Sequence, residues 1–134
     1  MSKAYDLKYV LMADDIRQEA SQKVILIGFY PNNEIVVPSL PINAPSQSFL
    51  ILIVPYQKKY SGFTFAIKDP HGQELMKAEG IPEFAEIKKP VPLVFPRSPA
   101  VYISEGMHQL LFRLGDEKLK KIGEFRVVKV PPAK

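Results

Sequence analysis

The chain contains no cysteine. That excludes a disulfide framework and any zinc site built on thiolates. It fits a reducing compartment, and a cytoplasmic location is expected. No long apolar run is present either. The longest, Phe49 to Val54, is six residues, against the ~20 a helix needs to cross a bilayer. The first apolar stretch, Tyr9 to Ala13, stops at Asp14-Asp15 without a small-residue cleavage pattern, so no signal peptide is read there. No membrane partner is expected. The seven glycines are all isolated, so there is no P-loop and no G-x-G-x-x-G, and no G-x-S-x-G elbow occurs. Arginine is scarce: four of the 18 basic residues, although arginine is the side chain best shaped for phosphate. The net charge of +4 is mild. The lysine pairs at 58–59, 88–89 and 120–121 are scattered and read as solubilising charges. Nucleic acid is not an expected partner.

What is present is a chain of 134 residues, 46% apolar. That length suits one domain, 1–134, with a single core. Thirteen prolines fall mostly between apolar runs. Proline cannot donate to a sheet ladder, so it marks strand ends. Strands are predicted at Leu7 to Ala13 with a possible extension to Glu19, then at Lys23 to Tyr30, Glu34 to Val37, Gln47 to Val54 and Phe63 to Lys68. Further strands are predicted at Gln73 to Glu79, Val91 to Phe95, Met107 to Leu114 and Leu119 to Val130. Asp69-Pro70-His71-Gly72 is a strong turn signal between two of them. Ser39 to Ser46 reads as a loop, Glu83 to Ile87 as one helical turn, and Gly123 as a bulge. The fold class is all-β: an antiparallel sandwich of about eight strands with little or no helix.

The segment LMADDIRQEASQKVILIGFY, the following IVVPSLP, the turn DPHG and the late SEGMHQLLFRLG carry a resemblance. Their order resembles a family of small, uncharacterised bacterial proteins with a D-D-x-R-x-E element. K-x-x-x-x-G-x-Y and V-P-x-x-P follow, then an aliphatic strand, a D-P-x-G turn and a G-x-(H/Y)-x-x-x-(L/F) strand. The match spans almost the whole chain. The resemblance implies an immunoglobulin-like sandwich and brings no activity with it. Where that family often has glycine before the lysine, this chain has Ser21-Gln22.

Residues Asp14, Asp15, Arg17 and Glu19, with Lys23 beyond them, lie between two apolar runs. On a strand, Asp15, Arg17 and Glu19 share one face and Asp14, Ile16 and Gln18 the other. Alternating charge sets hairpin register and blunts an edge. The same carboxylates could serve as a hard-cation site or an acid/base pair, but calcium wants a spaced Asp/Asn-Gly loop that is lacking here. Arg17 would neutralise an acid/base pair. His71 sits in a turn and His108 on a strand with Leu110 and Phe112; two distant histidines without cysteine make a poor metal set. No metal or cofactor is expected.

Two segments are apolar on both faces. In Val24 to Tyr30, Ile25, Ile27 and Phe29 alternate with Val24 and Leu26. In Phe49 to Val54, Leu50, Leu52 and Val54 alternate with Phe49, Ile51 and Ile53. An antiparallel sheet needs only one inward apolar face. Either the proline-rich Ile81 to Pro99 folds over the other face, or a second chain covers it. The expected function is a non-enzymatic protein-interaction or assembly module with a protein partner or a second copy. Its candidate contact residues are Asp15, Arg17, Glu19, Ile25, Ile27, Phe29, Leu50 and Leu52. One alternative is a small-ligand or carbohydrate binder using Tyr56 and Tyr60. The other is a hydrolase built on Asp14, Asp15, Glu19 and His108.

Overall fold

The computed structural model describes residues 4–20, 23–43, 47–98 and 100–130. Eleven strands follow in chain order: β1 (Tyr5–Gln18), β2 (Val24–Phe29), β3 (Glu34–Val37), β4 (Ile42–Asn43), β5 (Gln47–Pro55), β6 (Phe63–Lys68), β7 (Glu74–Gly80), β8 (Val91–Ser98), β9 (Val101–Tyr102), β10 (Gly106–Leu114) and β11 (Lys120–Lys129). No helix occurs among the described residues. One sheet runs β2-β1-β5-β8 and the other β3-β11-β10-β6-β7, with β4 and β9 as a separate pair.

The two large sheets pack face to face by the ordinary logic of alternation. Met12, Phe49, Ile51 and Ile53 of the first sheet meet Phe65, Ile67, Leu110, Phe112, Leu114, Phe125 and Val127 of the second in one buried core. Each fully buried Phe, Leu or Ile contributes roughly 1.5–3 kcal/mol of transfer free energy. Three consecutive pairs form hairpins, β1–β2, β6–β7 and β10–β11, whereas β5 pairs with β8 across the β6–β7 hairpin, and β3 runs parallel to the last strand. That crossing between sheets is the Greek-key connectivity of the immunoglobulin-like sandwich.

The Asp69–Gly72 turn forms as its residue types dictate. Asp69 Oδ1 accepts the backbone N–H of His71 and of Gln73 at 2.9 and 2.8 Å, and Gly72 takes φ +85°. The predicted bulge is also present: the β10–β11 register shifts beside Gly123, leaving Ile122 unpaired.

Three expectations are corrected. Ile42–Asn43 and Val101–Tyr102 pair as short strands, so the Ser39 to Ser46 stretch is not all loop. Glu83 to Ile87 makes no helical turn. Glu83 bridges Lys59, and Phe84 is buried with its ring edge-on to Tyr60. Finally, the proline-rich segment does not fold over the first sheet. Its Val91–Ser98 portion lies in the plane of that sheet as β8, paired with β5. The Ser21-Gln22 turn lies outside the described residues.

Candidate functional site

The β1–β2 hairpin supplies the cover that the proline-rich segment does not. Its ladder contains a reset. Tyr30 N–H donates to the Met12 carbonyl at 3.1 Å and Glu19 N–H to the Lys23 carbonyl at 2.8 Å. Hydrogen-bonded pairs alternate along an antiparallel ladder. These two are an odd number of residues apart and could not both be bonded in an unbroken one. The reset falls at Asp14 and Gly28, which the register omits: Ala13 faces Phe29 and the next pair is Asp15 with Ile27. Gly28 has φ +68°, and a Cβ there would lie 2.2 Å from Asp14 Oδ2. Only glycine takes that conformation without penalty, and only glycine leaves room for Asp14. The Asp14 carboxylate accepts a hydrogen bond from the Tyr30 hydroxyl. Burial, together with this carboxylate, raises the Tyr30 hydroxyl to about 12.

The reset changes which side chains share a face. Leu11 and Ala13 before it, and Ile16 after it, point to the same side. There they join Leu50, Val24, Leu26 and Val94 in a second apolar cluster. The outer face of the first sheet is thus covered in part by the tip of its own hairpin. Leu50 is 4% exposed inside that cluster and Leu52 is half-buried, so Leu50 is not available to a partner. This corrects the expectation for Leu50.

The remaining candidates stay at the surface. Ile25 pairs with Arg17 and Ile27 with Asp15, so these four share the face turned away from the second cluster. Arg17 Nε donates to Asp15 Oδ2 at 3.0 Å. Ile25, Ile27 and Phe29 are 42–46% exposed. Phe29 lies beyond the reset, beside Ala13, and does not continue the Ile25–Ile27 row. Glu19 and Lys23 close the hairpin through the backbone bond given above, and both are exposed.

β2 is also an edge strand. Backbone groups on an open edge are a template for another strand, and proteins blunt them with proline, charge or shortness. Among the described residues the large sheets have four free edges, and these differ. β8 carries Pro92 and Pro96. β7 carries Glu74, Lys77 and Glu79, with Lys77 and Glu79 paired at 3.1 Å. β3 has four residues and ends at Pro38. β2 reads VILIGF, with no proline and no charge.

The other candidates are placed elsewhere. His108 is fully buried between the sheets, stacked on Phe125 at 5.3 Å and edge-on to Tyr102 at 5.3 Å. Its Nδ1 lies 3.0 Å from the Gly106 carbonyl, which can only accept, so Nδ1 carries the proton. Nε2 is buried without a partner. Burial pushes the His108 pKa below its usual value, so the ring is neutral. The charged group acting on His108 is Asp69, not the hairpin carboxylates. No group of three or more His, Asp or Glu suited to a metal occurs among the described residues.

Tyr60 is buried, and its hydroxyl accepts from the Tyr56 and Gln57 amides while donating to the Ala4 carbonyl. Tyr56 is half-exposed and bonds Asp6 at 2.5 Å. The two rings therefore fasten the Pro55–Tyr60 turn and offer no shared platform to a sugar. An open cleft of about 500 Å³ at one end of the second sheet is lined by Arg113, Glu79, Asp116 and Ser61. Several of its polar groups bond within the protein: Arg113 Nη2 donates to Thr64 at 2.8 Å, Ser61 to Asp116 at 2.9 Å and Lys77 to Glu79 at 3.1 Å, while Arg113 Nε is buried without a partner.

A scan against protein-family models finds no match, and neither does a search of curated proteins. Among solved structures, the chain is similar to an immunoglobulin-like protein from Pseudomonas aeruginosa. The alignment covers 96% of this chain and 98% of that one, at 12% identity and a TM-score of 0.43. So distant a likeness carries no functional argument; strand order and packing define the fold.

Proposed function

We propose that this protein is a non-enzymatic interaction module that receives a strand from another chain on the free edge of β2. One observation carries the reading: of the four free edges of the large sheets, β2 alone has neither proline, charge nor extreme shortness to blunt it. Such an edge offers main-chain hydrogen bonds for affinity, and the side chains beside it give specificity. Here those side chains are Ile25, Ile27 and Phe29, flanked by Asp15 and Arg17. The hairpin is held in shape by the Gly28 reset, the Asp14–Tyr30 bond and the second apolar cluster. It therefore presents a pre-formed edge, which lowers the ordering cost of binding.

The experiment is amide exchange on ¹⁵N-labelled protein, with and without extract of its native host. A bound strand slows exchange at Val24 and Leu26, leaves β7 and β8 unchanged, and is lost in Ile27→Lys. Binding that leaves Val24 and Leu26 unaffected overturns the reading.

A further inference from the structure

We infer that the strand received on β2 is the β2 of a second copy, antiparallel, with the twofold axis at Ile25. This rests on the reading of β2 as a docking edge and adds the partner and the register.

The direction of the backbone groups limits the possibilities. The bonded Glu19–Lys23 pair sets the phase of the ladder beyond the reset, so Arg17–Ile25 and Asp15–Ile27 are also bonded pairs. The N–H and C=O of Val24 and Leu26 therefore point away from β1, to the open side. A second β2 must bring its own outward-pointing residues opposite these, and the faces must match, because a one-residue slip exchanges them. Three registers satisfy both conditions. Val24 opposite its own copy leaves Leu26 beyond the start of the partner strand. Leu26 opposite its own copy calls on Gly28 for the next pair, and Gly28, at φ +68°, is out of line. Val24 opposite Leu26′ uses regular residues only, twice over.

In that register Ile25 faces Ile25′ as a non-bonded pair, the kind whose side chains approach most closely. Ile27 faces Lys23′. Because Asp15 is the β1 neighbour of Ile27, and Glu19 that of Lys23, the row across the seam reads Asp15–Ile27–Lys23′–Glu19′. The row occurs twice by symmetry. Lys23′ lies over Ile27 with its ammonium toward Asp15, so opposite charges meet across the seam. Arg17 and Arg17′ are kept apart by two isoleucines. Ile25 and Ile27, 42% and 45% exposed in the single chain, leave water together. A twofold interface must be self-complementary, and this one is.

The test exploits the absence of cysteine: any single introduced thiol is the only one in the chain. Ile25→Cys forms a disulfide-linked dimer under mild oxidation, since a non-bonded pair at about 4.5 Å between Cα atoms suits the bridge. Leu26→Cys and Ile27→Cys alone link at least tenfold more slowly. Lys23→Cys mixed with Ile27→Cys links as a heterodimer. Light scattering of the unmodified chain gives a dimer mass at high concentration, and Ile25→Lys raises the dissociation constant at least tenfold. A dimer that links best through Leu26→Cys or Ile27→Cys overturns the register. A monomer whose Val24 and Leu26 amides exchange freely overturns self-pairing and leaves β2 as an open edge. A monomer in which those amides are protected overturns both readings.

Discussion

The two free edges of the first sheet, β2 and β8, face the same solvent with different equipment. β8 carries Pro92 and Pro96, two positions that offer no N–H to a neighbour. β2 has its N–H groups intact, three exposed apolar side chains and no charge of its own. Stability alone does not require this contrast, because a charged residue at position 25 or 27 would have solvent to point into. The difference teaches that edge protection is applied strand by strand, and that an edge left bare is a feature to be explained.

The largest test of the comparison is to strip the guarded edge. Pro92→Val with Pro96→Val restores two donors on β8 and gives one sheet two receptive edges. Association then ceases to close, and light scattering shows masses growing with concentration. Gly28→Val attacks the other edge. Its Cβ meets Asp14 at 2.2 Å and its φ is unfavourable, so urea unfolding shows a loss of about 2–4 kcal/mol, with weakened protection of β2.

A third test asks whether hairpin and sandwich unfold together. The pKa of His108 is lowered by burial in the fold from its ordinary 6.5. The unfolded chain therefore binds a proton first, and stability is lost as pH falls below 6.5, by at most ~1.4 kcal/mol per pH unit. His108→Phe flattens that dependence. If the hairpin is one unit with the core, exchange at Ile25 and Ile27 follows the same pH dependence. The smallest effect is expected at the hairpin root. Tyr30→Phe removes the bond to Asp14 and costs about 1 kcal/mol by thermal unfolding. It also abolishes the tyrosine that otherwise titrates near 12.

Much of this architecture was legible from residue types. Proline and glycine punctuation located nine of the strands, and Asp69-Pro70-His71-Gly72 announced its hairpin, because those signals act locally. On β2 the second apolar face stays exposed at Ile25 and Ile27, while on β5 the outer face is covered at Leu50. What covers it could not be read, because the answer depends on one backbone angle. Gly28 looked like an ordinary strand position. Its positive φ, opposite Asp14, marks where both strands change their alternation: Ile16 lies on the side of Ala13, and Phe29 is separated from Ile25 and Ile27. In the proline-rich stretch the strand expected at Val91 to Phe95 is present, and only its role as a cover fails: prolines are compatible with an edge, and β8 is one. The sequence places His108 on a strand with Leu110 and Phe112 but does not show its full burial with one nitrogen unpaired, because that depends on the ring filling space between Tyr102 and Phe125.

The measurement that bears most directly on the bare edge is residue-resolved amide exchange in dilute solution, where association is suppressed. The phase of the β1–β2 ladder predicts alternation: Val24 and Leu26 exchange at least tenfold faster than Ile25 and Ile27, whose N–H groups bond to β1. Uniform protection of all four amides at high dilution would mean that the chain covers β2 itself, and would contradict the account.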